Sequence, residues 1–118
     1  MSKEIKFKYI WSNPTKTNFL TEIFTLDQIE HGEQFMVLEN EPLLKNYRIV
    51  AILQWTGLKD KNGKEIYEKM EIDNKFTVDF QNGSYILKNI SNNDIISIHD
   101  YIKTNEKLPE ITREYSEI

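Results

Sequence analysis

The stretch that decides the fold is QWTGLKDKNGKEIYEKMEIDNKFTVDF, which runs from Gln54 to Phe80. Two apolar segments flank a turn that contains Gly57, Asn62 and Gly63, and a third apolar segment follows. Asn-Gly pairs favour tight turns between antiparallel strands, because both residues tolerate a positive φ. The stretch therefore predicts the centre of a small β-rich domain.

Length and composition predict a single folded domain. The chain has 118 residues, of which 39% are hydrophobic, so we expect one domain over residues 1–109 and a charged tail, 110–118, that frays. It has no cysteine, which excludes disulfides and thiolate chemistry. No apolar run approaches the ~20 residues of a membrane helix, and the N-terminus lacks the apolar core of a signal peptide. We expect a cytoplasmic protein with no membrane partner.

The net charge is mildly negative. The 15 basic and 19 acidic residues give −4, whereas binding to nucleic acid needs a concentrated positive patch. In the central turn the lysines alternate with acids, a pattern typical of a solvated surface. Nucleic acid is therefore a disfavoured partner.

Hydrophobic periodicity predicts three strands before the central turn. The alternation from Ile5 to Trp11 indicates a half-buried strand, which ends before Pro14 because proline cannot donate to a ladder. Gln34 to Glu39 predicts a compact strand. Tyr47 to Trp55 is the most apolar run and predicts a strand buried on both faces.

One short helix is predicted between these strands. Thr25 is a candidate N-cap, and Gln28 stands three residues later, as a capping box requires. Gly32 would end the helix after about two turns, since glycine adopts the left-handed conformation without penalty. Near the C-terminus, Ile95 to Tyr101 fits either a strand or a short final helix.

The second half of the chain predicts further hairpins. Lys64 to Ile72 returns as a strand, and Phe76 to Phe80 alternates cleanly between apolar and polar residues. Asn82-Gly83 is a second hairpin turn, and the chain returns from Tyr85. The fold class is therefore mostly β (β-rich α+β): a small, strongly bent antiparallel sheet or a small β-barrel, with one short helix.

The central motif resembles a known family. The run from Leu53 to Glu68 is similar to the signature of the YopX-like phage and prophage proteins, and Lys3 to Lys8 resembles that family's opening strand. Val78 to Phe80, followed by Asn82-Gly83, is similar to its next hairpin. The resemblance implies a phage or prophage origin and a β-rich fold. It implies no activity and no functional residues.

Two segments depart from the family pattern. Lys69-Met70-Glu71-Ile72 stands where relatives usually carry Gly-Asp-Ile-Val. The family's usual ending is only faintly echoed by Ile98 to Ile102 and by Asn105 to Pro109. We therefore expect the turn after the central hairpin and the C-terminal segment to differ from those of relatives.

The sequence offers little for catalysis. Of the two histidines, His31 lies at a predicted helix end, where it would act as a C-terminal cap residue. His99 could pair with Asp100 and Ser97, but neighbouring residues in a strand point to opposite faces. Asp60 to Gly63 has its glycine in the fourth position rather than the sixth that a calcium loop needs. We predict no enzyme, no catalytic residue, no metal and no cofactor.

The aromatic residues beside the central turn are the best candidates for partner contact. Trp55 and Tyr67 could stack unpaired bases, anchor a protein partner, or belong to the core. Trp11 lies where its strand ends and is a further anchor candidate. The residues predicted to bind a partner are Trp11, Trp55, Lys59, Asp60, Lys61, Asn62, Lys64 and Tyr67.

Two functions fit these observations. The first is a small phage-encoded, non-enzymatic protein that binds a host or phage protein and modulates or inhibits a host factor. A defence target of the anti-restriction or anti-CRISPR type is one such factor. The alternative is a nucleic-acid-binding small barrel in phage replication or regulation, for which the warrant is fold analogy.

Overall fold

A computed structural model describes residues 4–39 and 41–114 of the chain. The structure is mostly β, with 45% of residues in strands, which confirms the predicted fold class. The chain forms two compact units, Met1–Gln54 and Trp55–Ile118. Among the described residues, no helix has both the length and the apolar character needed to cross a membrane.

Unit 1 is built on three antiparallel strands. β1 (Lys6–Ser12) lies between β2 (Phe19–Thr25) and the first part of β3 (Arg48–Lys59). The alternating pattern had predicted β1. It had not predicted β2, because this strand leaves Phe19 and Ile23 exposed and shows no clean period of two.

An aromatic cluster forms the core of unit 1. Tyr9 and Trp11 are two residues apart in β1 and therefore lie on the same sheet face. Phe24 of β2 meets both edge-on, with ring centroids 5.4 Å from Tyr9 and 6.4 Å from Trp11. Each such pair contributes roughly 1 kcal/mol beyond its buried area. The half-buried hydrophobic residues around the cluster are Phe7, Leu20, Ile29, Val37, Leu38 and Tyr47.

The predicted capping box is present at α1 (Leu26–Glu30). Thr25 Oγ1 accepts a hydrogen bond from the Gln28 N–H at 3.2 Å, and Gln28 Oε1 accepts one from the Thr25 N–H at 2.8 Å. The helix ends at His31, which is its C-cap as predicted, and Gly32 follows in the left-handed conformation with φ of 75°. These caps fix a helix that is too short to be stable by itself.

Two strand predictions in unit 1 need correction. The prediction of a strand over Gln34 to Glu39 is wrong, because Glu33–Phe35 forms a 3-10 helix and turns follow it. The left-handed Gly32 reverses the chain, and its carbonyl accepts a hydrogen bond from the Phe35 N–H at 3.1 Å. Backbone groups satisfied by such local bonds are not available for a ladder.

The strand predicted over Tyr47 to Trp55 exists as β3, but it is not buried on both faces. Ile49 and Ile52 keep 43% and 49% of their surface exposed. An apolar run is compatible with a buried strand, but it does not fix how far each face is covered.

Unit 2 contains the second part of β3 and a five-stranded antiparallel sheet. The second part of β3 pairs with β4 (Glu65–Tyr67). The sheet has the order β8-β7-β6-β5-β9. Its strands are β5 (Glu71–Ile72), β6 (Phe76–Gln81), β7 (Ser84–Asn89), β8 (Ile95–Ser97) and β9 (Ile111–Arg113). Within the described ranges neither sheet closes on itself, so the open sheet, and not the barrel, is the form adopted.

The core of unit 2 lies on one face of its sheet. Phe76 and Val78 alternate along β6 with the less buried Thr77 and Asp79, as predicted. Ile95 to Tyr101 contains both of the predicted alternatives, because β8 leads directly into α2 (Ile98–Asn105). The fully or almost fully buried residues of this core are Ile66, Ile72, Phe76, Val78, Leu87 and Ile98.

The turns of unit 2 depend on left-handed residues. Asn82 and Gly83, with φ of 52° and 81°, join β6 to β7 as predicted. Lys69, with φ of 67°, divides the predicted strand from Lys64 to Ile72 into β4 and β5. Asparagine and glycine tolerate this region, whereas a lysine there is uncommon.

The expectation that the tail from residue 110 frays is wrong for its first part. Ile111–Arg113 forms β9 and pairs with β5. The charged composition of the tail predicted fraying, and it could not predict this pairing because the partner strand lies about 40 residues earlier in the chain. Residues 115–118 of the predicted tail lie outside the described residues.

Candidate functional site

The loop of residues 60–64 connects β3 to β4. Lys59 pairs with Glu65 at its base, and Trp55 pairs with Tyr67 further along the same two strands. The sequence predicted a tight Asn62-Gly63 turn. The structure has a longer loop in which Gly63 has a positive φ of 82°.

Asp60 explains the shape of this loop. The residue is 1% exposed, and its Oδ1 accepts hydrogen bonds from the N–H groups of Asn62 and Lys64, both at 2.9 Å. Oδ2 accepts a third, at 3.1 Å, from the N–H of Ile111. A carboxylate that satisfies several backbone donors holds a loop more firmly than turn propensity alone. Asp60 therefore shapes the surface and does not form part of it.

The surroundings of Asp60 stabilise its charged form. Burial raises the pKa of this carboxyl, but the backbone hydrogen bonds from Ile111, Lys64 and Asn62 outweigh it, with help from the Lys64 charge. The resulting pKa lies below the ordinary value. The loop is therefore held by a carboxylate that is ionised at neutral pH.

The segment from Pro109 to Ile111 is bonded to the same loop. The Lys61 N–H donates to the Pro109 carbonyl oxygen at 2.9 Å, and Lys61 Nζ lies 3.2 Å from Glu110 Oε1. The bond from Ile111 to Asp60 continues this contact by one residue. The sequence does not predict this contact, because no local pattern indicates a pairing across some 50 residues.

The exposed part of the loop is polar and mostly basic. We define the loop surface as Lys59, Lys61, Asn62, Lys64 and Glu110. Beside it lies a cavity of about 230 Å³, whose charged lining residues are the basic Lys64 and Arg113 and the acidic Glu114. The loop surface therefore presents three lysines and one glutamate, while the carboxylate of Asp60 is buried beneath it.

The aromatic candidates do not share this exposure. Trp55 is half-buried, and its Nε1–H donates to the Leu58 carbonyl at 3.1 Å. Tyr67 is 1% exposed, and its hydroxyl donates to Glu65 Oε1 at 3.1 Å. Trp11 is buried in the aromatic cluster of unit 1. Tyr67 and Trp11 are therefore core residues, whose rings contact other residues of this chain.

Two of the residues considered for catalysis, His31 and Ser97, have structural contacts. His31 Nδ1 is 2.7 Å from the Asp27 carbonyl oxygen, and this bond, with the Asp27 charge, raises the pKa of the histidine. Ser97 caps α2 by accepting a hydrogen bond from the Asp100 N–H. His99 lies exposed within α2. The described part of the chain contains no group of three or more His, Cys, Asp or Glu placed to hold a metal ion.

Unit 1 contains a second concave feature, which the sequence did not predict. A pocket of about 320 Å³ lies beside the aromatic cluster. Three of its residues, Gln34, Phe35 and Leu38, fall in the segment for which the sequence predicts a strand. The lining residues are Trp11, Gln34, Phe35, Leu38, Tyr47, Arg48 and Ile49.

Comparison with known proteins identifies a family. A family model described as YopX protein matches residues 4–111, nearly the whole chain. No curated protein and no solved structure matches the chain.

Proposed function

The chain belongs to the YopX family, and on this premise we propose that it is a phage-encoded, non-enzymatic interaction protein. It binds and modulates or inhibits a host factor in the cytoplasm of a bacterial cell. A defence factor is the partner class to test first, including targets of the anti-restriction and anti-CRISPR type. The resemblance of the central motif to phage and prophage proteins supports this proposal.

The observation that carries the proposal is an exposed loop surface whose backbone is held by hydrogen bonds to Asp60. Lys59, Lys61, Asn62 and Lys64 are exposed, while Asp60 beneath them holds the backbone by three hydrogen bonds. A surface already ordered in the free protein loses little conformational entropy when it binds. A typical interface buries roughly 800 Å² on each partner, which a domain of this size can provide.

The charge of the loop surface indicates the partner's chemistry. Its three lysines and the nearby Arg113 are exposed or cavity-lining cations, with Glu110 and Glu114 beside them, on a chain with net charge −4. An acidic patch on the host factor would complement this surface, and electrostatic complementarity raises specificity and the association rate. Binding by this route weakens as salt increases.

Nucleic-acid binding is the second candidate. The basic residues Lys59, Lys64 and Arg113 favour it, because phosphate contacts dominate such affinities. The net charge of −4 opposes it. The analogy with small barrels no longer supports it, since the sheets are open.

Affinity capture from a bacterial host lysate, with and without nuclease, tests the proposal. The bait is the wild-type chain, the double variant Lys61→Glu/Lys64→Glu, or the control Lys16→Glu, which reverses an exposed charge in unit 1. The proposal expects one host protein that survives nuclease, persists with the control and is lost with the double variant. Capture that disappears with nuclease would favour the nucleic-acid candidate. Protein capture unchanged by the double variant would remove the loop surface from the interface.

A further inference from the structure

β2 is an edge strand without the features that usually prevent an edge from pairing with another chain. It has seven residues and ends the strand order β2-β1-β3-β4, whereas the three other terminal strands, β4, β8 and β9, have three residues each. Natural proteins protect sheet edges with short strands, lysine, proline or bulges. The sequence of β2, FLTEIFT, contains neither lysine nor proline, and its seven pairs with β1 show no register shift.

Alternate residues of β2 direct their backbone groups to the open side of the sheet. At one end of the β1–β2 ladder the Asn13 N–H donates to the Asn18 carbonyl at 3.3 Å. At the other end the Leu26 N–H donates to the Ile5 carbonyl at 3.0 Å. Because bonded and non-bonded pairs alternate in an antiparallel ladder, these two bonds fix which residues of β2 bond to β1. The residues whose N–H and C=O groups point away from β1 are Phe19, Thr21 and Ile23.

The side chains of these three residues lie together on one sheet face, since they are two residues apart along the strand. Phe19 and Ile23 each keep 44% of their surface exposed, and Thr21 is also exposed. The outward backbone groups of the three residues bond to no other residue that the structure describes. The edge therefore offers both unpaired backbone groups and accessible apolar side chains to a further strand.

We propose that β2 pairs antiparallel with β2 of a second copy of this chain, about a two-fold axis at Thr21. Thr21 then faces the same residue of the second copy, and on each side of the axis Phe19 of one copy faces Ile23 of the other. Threonine–threonine pairs and aromatic–β-branched pairs both stabilise antiparallel sheets. The outward backbone groups of the two copies meet in this register and can complete a ladder. Because both copies use the same surface, the assembly closes as a dimer.

Other positions of the two-fold axis are less favourable. An axis at Glu22 would place two carboxylates directly opposite each other, which destabilises paired strands. It would also need the Thr25 N–H, which already donates within the capping box of α1. An axis at Ile23 has the same requirement, and an axis at Leu20 would pair fewer residues of β2 than an axis at Thr21.

The inference goes beyond the proposed function, because it assigns a surface for self-association. This surface lies in unit 1, whereas the loop surface lies in unit 2, so either can fail its test without the other. A strand pairing of this length buries less area than a standard interface. We therefore expect a weak dimer, with a dissociation constant of roughly 10–100 µM.

Sedimentation equilibrium of the full wild-type chain, from about 5 µM to about 1 mM, should show a monomer–dimer equilibrium. Thr21→Glu places two carboxylates opposite each other at the axis and should weaken the dimer by about tenfold or more. The matched control is Thr104→Glu, which makes the same change at an exposed residue of α2 and gives the same net charge. Its dissociation constant should stay within about twofold of the wild-type value. Circular dichroism establishes that both variants are folded.

Single cysteines test the register. The chain has no cysteine, so Thr21→Cys introduces the only thiol. In the proposed dimer the two Cα atoms at position 21 are about 5.5 Å apart, which is within the range for a disulfide. Those at position 22 are about 7–8 Å apart, at or beyond its limit. Under mild oxidation Thr21→Cys should therefore form a covalent dimer about tenfold faster or more than Glu22→Cys.

Three results would overturn the inference. One is a wild-type chain that stays monomeric at about 1 mM, which would leave the edge of β2 for a strand of another protein. Another is a folded Thr21→Glu variant that dimerises as strongly as Thr104→Glu. The third is cross-linking of Glu22→Cys as fast as that of Thr21→Cys. The wild-type and cysteine measurements remain decisive if Thr21→Glu does not fold.

Discussion

Asp60 Oδ2 accepts a hydrogen bond of 3.1 Å from the backbone N–H of Ile111, which lies 51 residues further along the chain. The other carboxylate oxygen holds the loop through the N–H groups of Asn62 and Lys64. One buried side chain therefore connects the central loop to the C-terminal segment.

Asp60→Asn should lower the free energy of unfolding by roughly 3 kcal/mol, because an amide replaces one acceptor oxygen and the negative charge is lost. Urea unfolding followed by circular dichroism measures the change. The control is Asp94→Asn, which neutralises an exposed carboxylate and should cost less than about 0.5 kcal/mol. Equal losses in the two variants would contradict the assigned role of Asp60.

The same carboxylate gives stability a pH dependence. The pKa of Asp60 in the folded protein lies below 3.8, so the unfolded chain binds a proton more readily. The stabilising contribution is present above pH 3.8 and is lost as pH falls through the folded-state pKa. Unfolding measured between about pH 2 and pH 6 should therefore show the wild type and Asp60→Asn converging at the acid end. A constant difference over this range would show that the charge of Asp60 is not responsible.

The local part of this fold was predictable, because short-range chemistry determines it. Thr25 and Gln28 form the capping box that their spacing predicts, and Asn82-Gly83 forms the predicted turn. The segment from Gln34 to Glu39 was misassigned because a run of apolar residues does not distinguish a strand from a packed 3-10 turn.

Lys69 gives a second stability prediction. Its φ is 67°, in the left-handed region that glycine adopts at less cost than lysine, and its Nζ lies 3.1 Å from Asp79 Oδ1. Lys69→Ala removes the ion pair and keeps the strained backbone, whereas Lys69→Gly removes both. The glycine variant should therefore be more stable than the alanine variant by roughly 1 kcal/mol. Thermal and urea unfolding of the two variants provide the comparison, and an alanine variant of equal or greater stability would contradict the strain.

Tyr101 and Asp73 form a polar contact at the edge of the core of unit 2. The Tyr101 hydroxyl donates to Asp73 Oδ2 at 2.7 Å, while its ring packs edge-on against Phe76. Tyr101→Phe keeps the ring and removes the bond, so the free energy of unfolding should fall by about 2 kcal/mol. Urea unfolding at neutral pH measures this, with Tyr47→Phe in unit 1 as the matched control.

This contact also predicts the response to alkali. Burial, the hydrogen bond to Asp73 and its negative charge raise the pKa of Tyr101 to about 12. Its contribution is complete below the unfolded-state pKa of about 10 and is lost as pH rises through about 12. The stability difference between the wild type and Tyr101→Phe should therefore shrink between about pH 10 and pH 12. A difference that stays constant would exclude the phenol as its source.

The candidate site was only partly predictable. The exposure of Lys61 and Lys64 follows from their place in a charged turn. The burial of Asp60 and Tyr67 depends on partners that no local pattern reveals, since Ile111 reaches Asp60 from a segment predicted to fray. The unit 1 pocket was missed because it depends on the 3-10 turn that holds Gln34.

Variants of the ion pair between Lys61 and Glu110 can distinguish a structural role of Lys61 from a role in binding the partner. Both side chains are about half exposed, and such pairs contribute less than about 1 kcal/mol. Lys61→Glu should therefore leave the free energy of unfolding almost unchanged. The swapped variant Lys61→Glu/Glu110→Lys restores an opposite-charge pair at the same place.

If the loop surface contacts the partner directly, capture of the host protein should fall with Lys61→Glu and should not recover in the swapped variant. The reason is that the acidic surface of the partner meets a carboxylate in place of the Lys61 ammonium in both variants, whatever its neighbour. Quantitative capture at two salt concentrations, alongside urea unfolding, measures both effects. Recovery of capture in the swapped variant would instead show that binding needs the ion pair between positions 61 and 110 and not a positive charge at position 61.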